Sequence, residues 1–405
     1  HGVVNNRTEM SGPLPTIVQS IRDAGYLTAT IGKMHLYPHR GSVAEGLDIM
    51  RGYGFEHVNE IGGKLASTKV RSGYTDHLAE LGLLDTYRDF ARRRAPIVSF
   101  LPNQPTGRKP TWAVDPTPLP SAAYIDNWVG DQAVNWIDSV GGERPFFLWV
   151  GFPGPHDPWD APAEYVEQYR DAEITLDTTT RPEIPADGPL KEFLDAFLAY
   201  STSQTLTDER AIEVRRHYFA NVTLIDAAIG RIVEALRRRG LDEETWIVYS
   251  TDHGEMLGTH GLLNKMVFYE PSVRVPLIIR PPGGSRARRF TGLIEHLDLS
   301  TTLVEVAGGK PVPDTEGRSL TGLIESGTGR EVVVSENFGF GMWRTERYKL
   351  VVHEAQRLPV QLFDLAEDPA EDRNQVNDPA QRQVVADLMD AYVNPFLDQA
   401  QARTR

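Results

Sequence analysis

Cysteine is missing from all 405 residues. Disulfides and thiolate metal sites are therefore excluded within the chain. Compartment stays open, because cytosolic and periplasmic proteins can both lack Cys; a cytoplasmic location is preferred only slightly over a periplasmic one. Long apolar runs are missing too. The longest, FFLWVGF at 146–152 and VPLII at 275–279, have the length of buried strands and fall far short of the roughly 20 residues that cross a bilayer, so no membrane span is expected. Positive charge is scarce, with 42 Lys and Arg against 56 Asp and Glu and a formal net charge of -14. Nucleic acid is thereby excluded as the main partner, since non-specific binding to phosphate is carried by clustered Lys and Arg. The local runs ARRRA (91–95) and LRRRG (236–240) read as solvated helix faces. The opening HGVVNNRT has no initiator Met and no basic stretch leading into an apolar one, so it reads as a boundary rather than a natural start.

What is present is an alternation of helix-like and strand-like segments without internal repeats. Residues 14–25 place apolar side chains at helical spacing and stop at Gly25, after which YLTATIG reads as a strand. A helix over 121–140 precedes the all-apolar FFLWVGF, and a helix over 207–239 stops at Gly240 before TWIVYST. This order predicts an α/β fold with a mostly parallel, doubly wound sheet, and strands near 26–31, 145–152 and 245–251 in its interior. Residues 52–120 read as an irregular insertion, a lid or a surface excursion. From 331 onward, EVVVSENF, GMWRTERYKLVVH and VQLFDL follow one another without helices until about Asp378. The expected organisation is a main domain over 1–330 and a small C-terminal antiparallel sheet with a terminal helix over 331–405.

In an open parallel sheet, ligands bind beyond the carboxyl ends of the strands. Three clusters fall there: Lys33-Met34-His35 after the first strand, PGPHDPW with His156 after the second, and DHGEMLGTHGLLNK with Asp252, His253 and Lys265 after the third. Asp252 and His253 can share a ligand only if the strand has already ended, and Gly254 is the expected turn. A carboxylate and an imidazole suit a divalent ion such as Ca, Mn or Mg, but two ligands are too few for a whole site, and a structural hydrogen-bonded pair is the commoner role. Lys33 and Lys265 are the charges that this edge offers to a tetrahedral oxyanion. His156, in a stiff loop, suits oriented proton transfer; His35 could do similar work or be a structural histidine.

GYLTATIGKMH, FPGPHDPW, STDHGEMLGTHGLLNKMVFYEPSVRVPLIIR and QLFDLAEDPAEDRNQ, in that order along the whole chain, resemble the sulfatase branch of the alkaline phosphatase superfamily. The resemblance implies that Asp252 and His253 are metal ligands, with Ca preferred over Mn or Mg, and that Lys33 and Lys265 hold sulfate oxygens. It makes His35 the histidine beside the nucleophile and His156 the one at the ester oxygen. Many sulfatases carry Asn where His253 stands; His occurs in related phosphonate and phosphodiester hydrolases, whereas GKMH is closer to the sulfatases. In the family a Cys or Ser followed by x-Pro-x-Arg, converted to formylglycine, precedes a segment like HGVVNN, and paired aspartates precede that. Neither is present in the 405 residues. The resemblance thus implies that the first βα unit, with formylglycine and two carboxylate ligands, lies outside this sequence, and that the chain by itself is inactive. An exposed apolar slot beside the neighbouring strands is the structural expectation.

The expected function is metal-dependent hydrolysis of small-molecule sulfate esters. The alternatives are a phosphonate monoester or phosphodiester hydrolase of the same superfamily, and a non-catalytic anion-binding remnant. Oligomeric state is left open, a homo-oligomer included. Substrate choice is expected to lie in 52–120 and around Trp159.

Overall fold

The computed structural model describes Thr8 and residues 14–94, 110–284 and 287–403. The opening HGVVNNR and residues 95–109 of the expected insertion lie outside the described residues.

The centre of the main domain is β1 (Leu27–Lys33), whose interior residues are buried on both faces. It pairs in parallel with β2 (His57–Ile61) on one side and β3 (Phe146–Gly151) on the other, giving the order β2-β1-β3. Burial on both faces explains the unbroken apolar and small-residue character of LTATIG. Ala29 and Ile31 meet Val129, Ala133 and Ile137 of the Ile125–Ser139 helix and Leu224 of the Asp208–Arg238 helix in one core. Each fully buried aliphatic side chain there contributes about 1.5–3 kcal/mol. The 31-residue Asp208–Arg238 helix is fixed by its ends. The Thr207 hydroxyl accepts from the Arg210 N–H at 3.4 Å, Asp208 and Glu209 occupy the first turn, and Arg237 and Arg238 the last, all in the sense that complements the helix dipole.

Two expectations are corrected. TWIVYST supplies β4 (Ile247–Ser250), but β4 pairs antiparallel with β5 (Leu277–Arg280) in a separate two-stranded sheet and is not interior to the parallel one. β3 is likewise an edge strand among the described residues. Apolar character gave their strand type but not their neighbours, because pairing is decided by tertiary contacts. These strands expose Trp149 (44%), Tyr249 (39%) and Ile278 (63%), so apolar surface does lie open along the two edges. Second, residues 52–94 are not irregular, whereas 110–120 hold no helix or strand, as expected. The former hold β2 and helices at Gly63–Ala66, Gly73–Glu80 and Leu84–Arg94. The strand was hard to see because HVNEI is short and carries charge, while its buried Glu60 is absorbed by Tyr37 (2.7 Å) and His39 (2.9 Å).

The C-terminal sheet has the order β6-β7-β8-β9, all antiparallel, from β6 (Val333–Asn337), β7 (Phe340–Arg344), β8 (Tyr348–His353) and β9 (Leu358–Asp364). GMWRTERYKLVVH is therefore two strands with a turn at Thr345–Arg347. One face packs on the Arg382–Leu388 and Asn394–Arg403 helices through Trp343, Leu350, Leu362 and Leu397. The other meets Leu190, Leu194 and Phe268 of the main domain. The junction is held by Lys349, which is wholly buried, forms ion pairs with Glu270 (2.8 Å) and Glu371 (2.6 Å) and donates to the Phe268 carbonyl (2.9 Å).

Candidate active site

Lys33, His35, His156, Asp252, His253 and Lys265 all line one cleft of about 2890 Å³ at the carboxyl ends of β1, β3 and β4. Lys33 ends β1 where the backbones of β1 and β3 nearly touch: a Cβ on Gly32 would stand 2.1 Å from the Gly151 carbonyl oxygen, and Gly32 has φ of +103°. Glycine at both positions lets the two strand ends, and hence the Lys33 and His156 loops, converge. β4 has already ended at Ser250 when Asp252 and His253 are reached. Gly254 is needed there, although not for its φ; a Cβ would lie 1.9 Å from the Pro271 carbonyl oxygen. The segment is instead tied by the Gly254 N–H to Ser272 (2.8 Å).

The site is electropositive and partly desolvated. Burial lowers the Lys33 pKa, Asp252 partly opposes the shift and Lys265 reinforces it. No hydrogen bond or ion pair of the Lys33 ammonium forms among the described residues, so its positive charge is directed at the cleft. His35 is depressed to about 3, first by burial and then by Lys33, and is neutral across the physiological range. His156 presents Nδ1 to two acceptors, the Asp157 carbonyl (2.8 Å) and carboxylate (3.0 Å), which fixes the proton on Nδ1. Its Nε2 then accepts from the Lys265 ammonium at 2.7 Å. Burial would raise the Asp157 carboxyl, but His156, Lys265 and Lys64 outweigh it and hold Asp157 well below the carboxylate range. Asn264 adds a 3.4 Å hydrogen bond to Asp157.

His253 has its Nδ1 at 2.8 Å from the Gly254 carbonyl, leaving Nε2 as a lone-pair donor 3.4 Å from the Asp252 carboxylate. A carbonyl on Nδ1 is the usual way to orient a ligating imidazole. Burial and then Lys265 lower the His253 pKa. Burial opposes ionisation of Asp252, yet His253, Lys33 and a backbone hydrogen bond hold it low. A neutral imidazole beside an ionised carboxylate fits two positions in the shell of a hard divalent ion. No cluster of three or more ligand-type residues forms among the described residues, so the pair fits as part of a shell.

Trp159 is a correction. It is 1% exposed, inside a core with Leu206, Val214 and Leu263, and does not line the cleft. Several residues that shape the site carried no sequence signal. Asp157 stands beside His156 in the motif, yet nothing local marks it as the group that orients the imidazole. Lys64, Asp126, Asn221, Asp160 and Tyr124 sit behind the His156 loop and come from four distant parts of the chain.

The sulfatase family model matches residues 1–309, three quarters of the chain. The chain belongs to the sulfatase family. A second model, described as the C-terminal part of N-sulphoglucosamine sulphohydrolase, matches 258–395. Among curated relatives, the chain is 28% identical to an arylsulfatase of Clostridium perfringens over 89% of its own length and 74% of the relative's. It is 28% identical to a choline-sulfatase of Rhizobium meliloti, covering 93% and 70%. Among solved structures, the phosphonate monoester hydrolase of Silicibacter pomeroyi superposes with a TM-score of 0.75 at 25% identity, covering 96% of this chain and 81% of that one. That of Agrobacterium radiobacter gives 0.72 at 22% and bears on fold alone. The architecture of this sulfatase-family chain, a helix-flanked parallel sheet beside a C-terminal antiparallel one, is thus shared with structures of the alkaline phosphatase type.

Proposed function

We propose that this chain carries the anion-binding and leaving-group groups of a hydrolase acting on small-molecule sulfate esters. The observation that supports it most is the convergence of Lys33, which makes no hydrogen bond or ion pair among the described residues, and Lys265 on a cleft where the imidazoles of His35 and His253 are held neutral. Lys33 and Lys265 bind the sulfuryl oxygens and stabilise the charge that grows on them. Lys265 also donates to His156 Nε2, so these two nitrogens hold a proton where the departing ester oxygen needs one. His35, neutral and beside Lys33, is the base of the cleft. Asp252 and His253 would hold a divalent ion, Ca in preference to Mn or Mg, which would supply further charge stabilisation to the sulfuryl oxygens. Formylglycine, the nucleophile implied by the family resemblance, matches no residue of these 405, which contain neither Cys nor a Ser-x-Pro-x-Arg segment.

The second reading, a phosphonate monoester hydrolase, is favoured by His253 and by the likeness to the Silicibacter pomeroyi enzyme. The test compares turnover of 4-nitrophenyl sulfate and 4-nitrophenyl phenylphosphonate, with and without Ca, by this chain and by the complete product of its gene. Faster sulfate turnover by either is expected. Faster phosphonate turnover favours the second reading, sulfate binding without turnover of either ester favours the non-catalytic anion-binding remnant, and absence of both turnover and sulfate binding refutes the proposal.

A further inference from the structure

Behind the His156 loop lies a closed polar network that the reaction described above does not use. Asp126, on the Ile125–Ser139 helix, is fully buried; its Oδ1 accepts the Gly154 N–H at 2.7 Å and its Oδ2 accepts from Asn221 Nδ2 at 3.2 Å. Asn221, on the Asp208–Arg238 helix, turns its Oδ1 to the Lys64 ammonium at 2.8 Å. Lys64 continues to the Asp160 carboxylate and to the Pro158 carbonyl, both at 3.1 Å, and the Tyr124 hydroxyl closes the network on Asp160 at 2.7 Å. No polar side-chain atom of these five residues is buried without a partner. A Cβ on Gly154 would lie 2.5 Å from Asp126 Oδ2, so the loop backbone sits directly on the network.

The two backbone groups that the network grips, Gly154 N–H and Pro158 C=O, flank His156 two residues to either side. A five-residue segment held at both ends by buried, charge-assisted hydrogen bonds has little freedom between them. We propose that Asp126, Asn221 and Lys64 are positioning residues that fix the His156 imidazole, Nδ1 on Asp157 and Nε2 on Lys265, for proton transfer at the leaving oxygen of an anionic ester. The proton-transfer part rests on the proposed function; the clamp on His156 does not. Polarity explains why the wiring cannot tolerate an isosteric change: in Asp126→Asn either the Gly154 N–H or the Asn221 amide meets another N–H. Asn221 cannot turn around without facing its own N–H to Lys64.

The test is the imidazole of His156 in the 405-residue chain, labelled with ¹⁵N-histidine and assigned with a His156→Gln sample. Wild type is expected to show a single Nδ1–H tautomer. In Asp126→Asn and Lys64→Met the tautomer preference should fall roughly tenfold, the equivalent of one charge-assisted hydrogen bond. The buried His217 and His260 outside the network should keep their signals. Tyr124→Phe, which retains the buried ring, should give a smaller shift in the same direction and keeps the test decisive if the charge variants do not fold. Folded variants with an unchanged His156 tautomer would overturn the proposal. Titration of the same wild-type sample with inorganic sulfate separates the two readings: absence of binding refutes the proposed function while the tautomer result still decides the clamp.

Discussion

Two lysines of this molecule, Lys349 and Lys33, are both withdrawn from solvent and treated in opposite ways. Lys349, at the junction with the C-terminal sheet, is surrounded by Glu270, Glu371 and a carbonyl. Burial is opposed at Glu270 by Lys349 and Arg344, which hold that carboxyl low; burial prevails at Glu371, which is raised. Lys33, at the cleft, has no carboxylate in contact and has Lys265 as a nearby like charge. A lysine that holds a fold together is neutralised by its neighbours, because an unpaired buried charge costs several kcal/mol. Lys33 is compensated only in part, by the carboxylates of Asp252 and Asp157, and is stabilised further when an anion arrives. The difference suits the cleft, more than the junction, to a bound anion.

The sharpest way to break this comparison is to remove each ammonium in turn. Lys349→Met should destabilise the fold by about 3–5 kcal/mol, since two buried carboxylates lose their partner; a denaturation midpoint close to wild type would show that the junction is not held this way. Lys33→Ala should leave that midpoint within about 0.5–1 kcal/mol of wild type. It should nevertheless weaken sulfate binding, and lower ester turnover by the complete gene product, by roughly 10²–10³-fold. Equal losses of stability in the two variants would erase the distinction.

Carboxyls extend the comparison to pH. Glu354, beside the β7 strand, is raised from 4.5 to about 7 by burial and then by Glu336. The folded state therefore binds more protons than the unfolded one between these values, so this contribution is full below pH 4.5 and is lost as pH rises through 7. Glu354 is half-exposed, so solvent screening discounts the shift, and Glu354→Gln should remove a slope worth about 1 kcal/mol or less between pH 5 and 8, read from midpoints across that range. A variant as pH-sensitive as wild type would point to another group. His35 acts in the opposite sense, its depressed value giving stability that is present above 6.5 and declines as pH falls toward 3. The smallest effect belongs to the partly exposed Lys191, paired with Asp195 one helical turn away. Lys191→Ala should change stability by less than about 0.5 kcal/mol, and a larger loss would mean that pairing, rather than burial, sets the worth of these lysines.

The site was legible where chemistry is written into consecutive residues. Lys33-Met34-His35, His156 and Asp252-His253 each follow an apolar strand directly; shared polarity of β1 and β3 brings the first two to one edge, and tertiary packing of the separate β4–β5 sheet brings the third. The sequence did not disclose the residues that orient them. Lys64 reaches Asn221 across 157 positions and Asp126 reaches Gly154 across 28, and each looks in isolation like an ordinary helix polar residue. Trp159 misled for the same reason, since an aromatic in a polar loop can be packed inward by contacts that no local pattern records. β2 was missed because its charged Glu60 is satisfied by Tyr37 and His39 from another segment.

By itself, the sequence determined the period and length of the elements, the absence of thiol chemistry, and the identity of the groups at the cleft. Those follow from local sterics, from the match of apolar spacing to helix or strand, and from side-chain chemistry. Only the tertiary structure decided that β4 pairs with β5 rather than with the parallel sheet, that Gly254 serves a close backbone approach, that Lys349 is neutralised while Lys33 is not, and which buried network grips His156. Each of those outcomes depends on which distant groups become neighbours once water is excluded, and burial strengthens or penalises a charge only after its neighbours are in place.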